Sequence, residues 1–343
     1  MAKKEVKTKS IKVPVQTDID SAVGTNVFTY KEPKVVINKP DDDDLLKKQT
    51  DAVFIFDVDP DNDQITNEMI SWRETDKINN YFYAKNKVLI FTSNSRFEVL
   101  YKYIVQTGKI KTGFLVCNGG ALVYDIETKK NLVVGELGEQ EKAMLAHTVQ
   151  MQTVFALASS MKNDLIISSN YLEAKSFNEH SYVPRQITDE YLKFSSFVHV
   201  NQILSVVCYE TNIKELFVKY HMFKDMEQDW NLSVSNINNN LFIITPKGYT
   251  KLAAVYQVLN YLNHTNINIV YYFALNTFST DLWWLAKENH YISKDCLESN
   301  RKFLSRHIKY DRYIFTTEKF KDLLVSILPM FKDIASKKPR KRK

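Results

Sequence analysis

Short apolar runs that end in turn-forming residues alternate along this chain with longer stretches of helical spacing. AVFIF at 52–56 runs into Asp57-Val58-Asp59, KVLIF at 87–91 into Thr92-Ser93-Asn94, and GFLVC at 113–117 into Asn118-Gly119-Gly120. Continuous apolar runs of this length fit strands buried on both faces of a parallel sheet. Between them, Met69, Ile70, Ile78 and Phe82 mark the apolar face of a helix over 67–82. Val99, Leu100, Tyr103 and Ile104 mark that of a helix over 97–107. Strands separated by helices predict an α/β fold with a doubly wound parallel sheet.

From about residue 121 the pattern is less regular. Helices over 140–158 and 213–224, with strands over 165–168 and 204–209, read as an inserted α/β module at 126–240. Alternation then resumes, with strands over 241–244, 267–274 and 313–316 and helices over 252–263, 282–288 and 318–334. The expected organisation is a core of 51–125 plus 241–336, the insertion between its halves, an extended or disordered arm at 1–50 and a basic tail at 337–343. The arm mixes Lys, Thr, Val and Pro without periodicity and closes on Asp41–Asp44, a solvated acidic linker. Its apolar segments at 11–15 and 35–37 are candidates for docking as edge strands or on a protein partner.

Composition narrows the classes. The chain has 343 residues, 44% hydrophobic and 25% charged, a globular balance. No apolar run approaches the roughly 18–20 residues of a membrane span, so no membrane partner is expected. The basic start, MAKKEVKTKS, lacks the apolar segment of a secretory signal, which points to the cytoplasm. Cys117, Cys208 and Cys296 are widely spaced and fit buried reduced thiols. The net charge is +6, and the tail alone carries six positive charges, so the body is neutral. A nucleic-acid contact is therefore expected only of the tail, and a solubilising terminus explains the same residues equally well.

The chemistry gathers at strand ends. In a parallel sheet the loops after Asp57/Asp59, Thr92, Lys251 and Asp281 would line one edge, where such sheets bind ligands. Asp57 and Asp59 lie two apart and share a face. Buried carboxylates need a cation, a proton or hydrogen bonds, so the pair can hold Mg²⁺ or divide nucleophile and acid/base roles. A hydroxyl and a Lys suit phosphoryl oxygens. Each residue also has a plain alternative: an Asx turn at Asp59, a strand-end hydroxyl at Thr92, a solvated Lys251, and a first-turn acid at Asp281.

With these segments in order, the chain resembles the haloacid dehalogenase (HAD) superfamily, and in particular its Cof-type phosphatases with an α/β cap. FIFDVDPDN, LIFTSNSRFEVL, FLVCNGGALVYD, LFIITPKGYTKLAAVYQVL, ALNTFSTDLWWL and YIFTTEKFKDLL carry the resemblance. It implies a HAD-like core with an inserted cap and a Mg²⁺-dependent phosphatase acting on small phosphomonoesters of sugar-phosphate type, with a small phosphorylated metabolite as its ligand. By the same resemblance Asp57 is the nucleophile, Asp59 the acid/base, Thr92 the phosphoryl ligand and Lys251 the charge stabiliser. Ser93, Asn94 and Asn118 fall at the substrate, and Asp57, Asp59 and Asp281 at the metal.

The chain departs from that pattern at Pro60, Asp61 and Ser93, and at Asn276-Thr277, which stand where Gly-Asp is usual. Thr277 removes an acid from a cation site that depends on anionic oxygens. A second expectation therefore stands beside the first: a catalytically degenerate HAD-fold protein serving as a binding or scaffolding component of a larger assembly.

Overall fold

A computed structural model describes residues 52–60, 75–84, 87–152, 155–168, 191–210, 212–238, 241–262, 269–286, 289–299, 314–316 and 323. The predicted arm, the basic tail and most of the predicted helix 318–334 lie outside these residues, as do positions 67–74 of the first predicted helix.

The first half runs β1 (Ala52–Asp57), α1 (Thr75–Ala84), β2 (Val88–Thr92), α2 (Phe97–Tyr101), β3 (Phe114–Cys117), β4 (Leu122–Asp125) and β5 (Lys130–Val134). A π-turn, Lys102–Thr107, prolongs α2, and a 3-10 turn, Asn118–Gly120, links β3 to β4. The middle holds α3 (Glu139–Met151), β6 (Phe155–Ser159), β7 (Asp164–Ser168), β8 (Tyr191–Lys193), α4 (Phe194–Phe197), β9 (Ser205–Tyr209), α5 (Ile213–Asp225), β10 (Leu232–Asn238) and β11 (Leu241–Pro246). The chain closes with α6 (Lys251–Tyr261), β12 (Ile269–Ala274), α7 (Thr280–Leu285), β13 (His290–Ser293), α8 (Lys294–Ser299) and β14 (Ile314–Phe315).

Two sheets result. The first has eight strands in the order β14-β13-β12-β1-β2-β3-β4-β5. Its pairs are parallel from β14 to β3, and β4 and β5 add an antiparallel edge. The second has six strands, β10-β11-β9-β6-β7-β8, antiparallel except for β7 with β8.

β1 sits in the middle of the first sheet because every one of its side chains is apolar up to Asp57, and all are buried. Phe54 and Phe56 point to one face, where Phe56 stacks on Phe91 and Phe273 at ring distances of 5.5 and 4.9 Å. Val53 and Ile55 point to the other, against Val255 and Val258 of α6 and Trp283 of α7. The period of two then puts Asp57 on the α6 face.

Three expectations are corrected. The predicted helix 140–158 ends at Met151, and 155–159 is strand β6. Its Ala and Leu read as helical, but pairing with β7 and β9 buries Ala156, Leu157 and Ala158, and that burial overrides local preference. The strand at 241–244 is not in the parallel sheet: β11 pairs antiparallel with β9 and β10, and the chain rejoins the first sheet's layer at α6. An apolar run shows that a strand is buried but not in which sheet. β5, read as part of the insertion, is an edge strand of the first sheet. The polar β13, HYIS, gave no strand signal and is a further strand of the first sheet.

Candidate active site

Strand register builds the site. Asp57 lies opposite Thr92 on β2 and Ala274 on β12, and Ile55 lies opposite Tyr272. Tyr272 is therefore on the face that Asp57 uses, one step back along the neighbouring strand. α6 packs on the same face, and its first residue, Lys251, reaches the end of β1. The helix starts there because Thr250 caps it, its hydroxyl accepting from Ala253 N at 3.2 Å.

Asp57 is fully buried, and both carboxylate oxygens are occupied. Oδ1 accepts from Thr92 Oγ1 at 2.9 Å and from Lys251 Nζ at 2.6 Å. Oδ2 accepts from the Tyr272 hydroxyl at 2.8 Å, which in turn accepts from Ser279 N at 2.8 Å. Burial pushes the Asp57 carboxyl up from its ordinary value, against the opposing pull of the Lys251 charge. Burial, followed by the charge of Asp57, raises the Tyr272 phenol well above its own, so the phenol stays a donor.

Asp59, partly exposed, turns the other way. Its Oδ1 accepts from Ser93 Oγ at 2.6 Å and Asn94 N at 2.8 Å, and its Oδ2 from Asn94 Nδ2 at 3.4 Å. Its main chain is clasped by Asn276: Asp59 N donates to Asn276 Oδ1 at 2.7 Å, and Asn276 Nδ2 donates to the Asp59 carbonyl. A backbone N–H needs an oxygen and a carbonyl needs a donor, so this reciprocal pair fixes the amide's orientation. Thr277, buried beside it, accepts from Asn94 Nδ2 at 3.4 Å.

The structure thus brings Asp57, Asp59, Thr92 and Lys251 together, the first three from ends of strands β1 and β2 and Lys251 from the start of α6, which follows a strand of the second sheet. Ser93 and Asn94 are present too, with their donors directed at Asp59. Asn118 lies where the two sheets meet. Its Nδ2 donates to Ser159 Oγ at 2.9 Å, Ser160 O at 3.3 Å and Ser205 Oγ at 3.4 Å, all on the second sheet's side. Asp281 lies at the start of α7 with an exposed side chain, away from Asp57; partial desolvation raises its carboxyl from the ordinary value, against the opposing pull of Lys224 of α5. Among the described residues, no group of three or more acidic, His or Cys side chains is placed to hold a metal.

Sequence pattern did not single out Tyr272. Its signal was the period of two: a Tyr two residues before the end of an apolar strand shares a face with that strand's last residue. Nor did the pattern show Asn276 clasping the Asp59 backbone, which depends on a loop-to-loop approach across 217 positions.

A family model for haloacid dehalogenase-like hydrolases matches residues 54–273. The chain belongs to this family. No curated protein matches it. Solved structures share the fold of this HAD chain. A Streptococcus mutans UA159 protein has a TM-score of 0.60 at 12% identity, covering 84% of this chain and 100% of its own. A haloacid dehalogenase-like hydrolase from B. subtilis has 0.58 at 9%, covering 80% and 99%. A phosphatase of the HAD enzyme superfamily from Bacteroides thetaiotaomicron has 0.56 at 10%, covering 83% and 96%. The inserted second sheet of the HAD chain faces the strand ends through the Asn118 contacts, through Glu98 N donating to Met161 O at 3.1 Å, and through an Arg96–Asp164 ion pair.

Magnesium is the cation the family implies, and the donor set here does not fit it. Mg²⁺ takes about six oxygens at about 2.0–2.1 Å and depends on carboxylates. In this chain Asp57 Oδ2 and the Asp59 carbonyl already face an O–H and an N–H, Thr277 has a neutral hydroxyl, and Asp281 interacts with Lys224 and Tyr220 of α5.

Proposed function

We propose that this HAD-family chain works by binding, as a component of a larger assembly, and that its phosphoryl-transfer site has become a closed structural centre. The occupancy of Asp57 carries the reading: Thr92 and Lys251 hold one carboxylate oxygen and Tyr272 the other. Attack on phosphorus needs an oxygen free to approach to about 3–3.5 Å. It also needs positive charge around the transferring group. Two acidic side chains against the one ammonium of Lys251 leave no such surplus for a phosphate dianion. In support of an interface, Trp284 stands 52% exposed on α7 while its neighbour Trp283 is buried against Phe278 and His290. Exposed aromatics are characteristic of interface cores.

A second reading is favoured by the convergence of Asp57, Asp59, Thr92 and Lys251. In it the chain is a Mg²⁺-dependent phosphatase of small, sugar-phosphate-type phosphomonoesters. Asp57 forms an aspartyl phosphate and Asp59 moves the proton. Turnover of a broad phosphomonoester panel by the full-length chain, with Mg²⁺ and with chelator, separates the two. The first reading expects rates no higher than those of Asp57→Asn. Mg²⁺-stimulated turnover that Asp57→Asn abolishes establishes the second. Isolation of the native chain from its source cells as a lone monomer counts against the assembly role.

A further inference from the structure

We infer that Tyr272 and Asn276 are a built replacement for a divalent cation, so that this site closes by hydrogen bonds and excludes the metal. The inference rests on the reading of the site as a closed centre and goes beyond it by naming the groups responsible. The family resemblance puts a cation at Asp57 and at the Asp59 main chain, and of their oxygens Asp57 Oδ2 and the Asp59 carbonyl are the ones in question. Each receives a protein donor instead, the Tyr272 hydroxyl on the first and Asn276 Nδ2 on the second. A donor hydrogen carries partial positive charge, so it satisfies the same lone pair and repels a cation brought to the same place.

Neither donor can simply turn away. Tyr272 is fully buried on β12, and its ring packs edge-on near Phe278 and Trp283, both at 6.4 Å. Its oxygen is further held by Ser279 N at 2.8 Å. Asn276 is held at both ends by the backbone of one residue, Asp59. The surroundings of the two carboxylates agree. Asp57, the buried one, is matched by the Lys251 ammonium, and Asp59, partly exposed, is held by the Ser93 and Asn94 donors, while Thr277 supplies a neutral side chain beside Asn94. The lone pairs of both acids are met by protein groups.

Mn²⁺ titration followed by electron paramagnetic resonance tests this on the full chain, with Mg²⁺ competition. Wild type is expected to show no saturable site up to millimolar metal. The variant Tyr272→Phe/Asn276→Gly/Thr277→Asp is expected to gain one site, tighter by about tenfold or more, that a further Asp57→Asn removes. If the triple variant does not fold, Thr277→Asp with Tyr272→Phe alone is expected to give a weaker gain of the same kind. A saturable wild-type site that Asp57→Asn abolishes overturns the inference. So does a folded variant that binds no better than wild type. These outcomes are separable from the function proposed above: turnover without metal binding defeats that reading and leaves this one, whereas metal binding without turnover does the reverse.

Discussion

Asp57 and Lys251 face each other at 2.6 Å with 0% and 1% of their side chains exposed. A pair this dry adds little when complete, because removing both charges from water offsets most of their attraction, yet it is costly to break. Asp57→Asn leaves the Lys251 ammonium buried without a counter-charge and is expected to cost about 3–5 kcal/mol of stability. Urea unfolding measures it. The double variant Asp57→Asn/Lys251→Met should recover much of the loss, since it buries no charge. A urea midpoint for Asp57→Asn equal to wild type would show that the pair is not the closed centre described. Asp57 was legible in the sequence because it ends a buried strand of the parallel sheet; Lys251 was expected at the same edge through the strand at 241–244, which lies in the second sheet, and it reaches Asp57 from the start of α6 instead. Tyr272 was less legible: its role depends on which strand lies beside β1, and one sequence does not state that order.

Elements explain how Lys251 comes to be there. The turn Asn118–Gly120 abuts the start of α6, and Gly120 has φ +108° with Thr250 C only 2.2 Å from where a Cβ would stand. Gly120→Ala must therefore adopt a strained backbone and push the helix start away, at an expected cost of about 2–5 kcal/mol. A thermal melt shows the loss. Lys251 leaving Asp57 distinguishes it from ordinary overpacking, read as a loss that is not additive with Lys251→Met. The second sheet is tied to the first by the neighbouring residues: Arg96 to Asp164, the Glu98 amide to Met161, and Asn118 to Ser159, Ser160 and Ser205. Arg96→Ala strands the Asp164 carboxylate, 16% exposed, beside Ser159. Amides of β6 and β7 should then exchange faster by at least about tenfold, while those of β1 and β12 stay protected. Uniform protection would mean that the ion pair does not tie the sheets. The strands that build this junction were the hardest to place from sequence. β6 reads as helix and β11 as core, because Ala, Leu and Ile are compatible with either setting and long-range pairing makes the choice.

At the scale of the whole molecule, burial of ionisable groups sets a direction for stability against pH. Tyr272 is raised well above the usual 10.0 by burial and then by Asp57, and Tyr220 is pushed up to about 12 by burial and then by Glu227. Burial also raises the Cys117 and Cys208 thiols from 9.0. In each case the folded chain keeps a proton that the unfolded chain releases. Between the ordinary and the raised values the folded state binds more protons, so stability falls as pH rises. The contribution is complete below about pH 9–10 and is lost through the alkaline range above it. For Tyr220 alone the shift corresponds to roughly 2–3 kcal/mol by pH 12. Urea midpoints should therefore stay level from about pH 8 to about pH 9 and decline from there to about pH 11. Tyr272→Phe should start from a lower midpoint, because Asp57 Oδ2 and Ser279 N lose their shared partner, and should decline less steeply. A flat wild-type profile, or a Tyr272→Phe slope equal to wild type, would show that the phenol is not locked into the centre of the fold. The prediction joins the three scales: the hydroxyl that holds Asp57 is buried by β12, and the sheet cannot ionise it without opening.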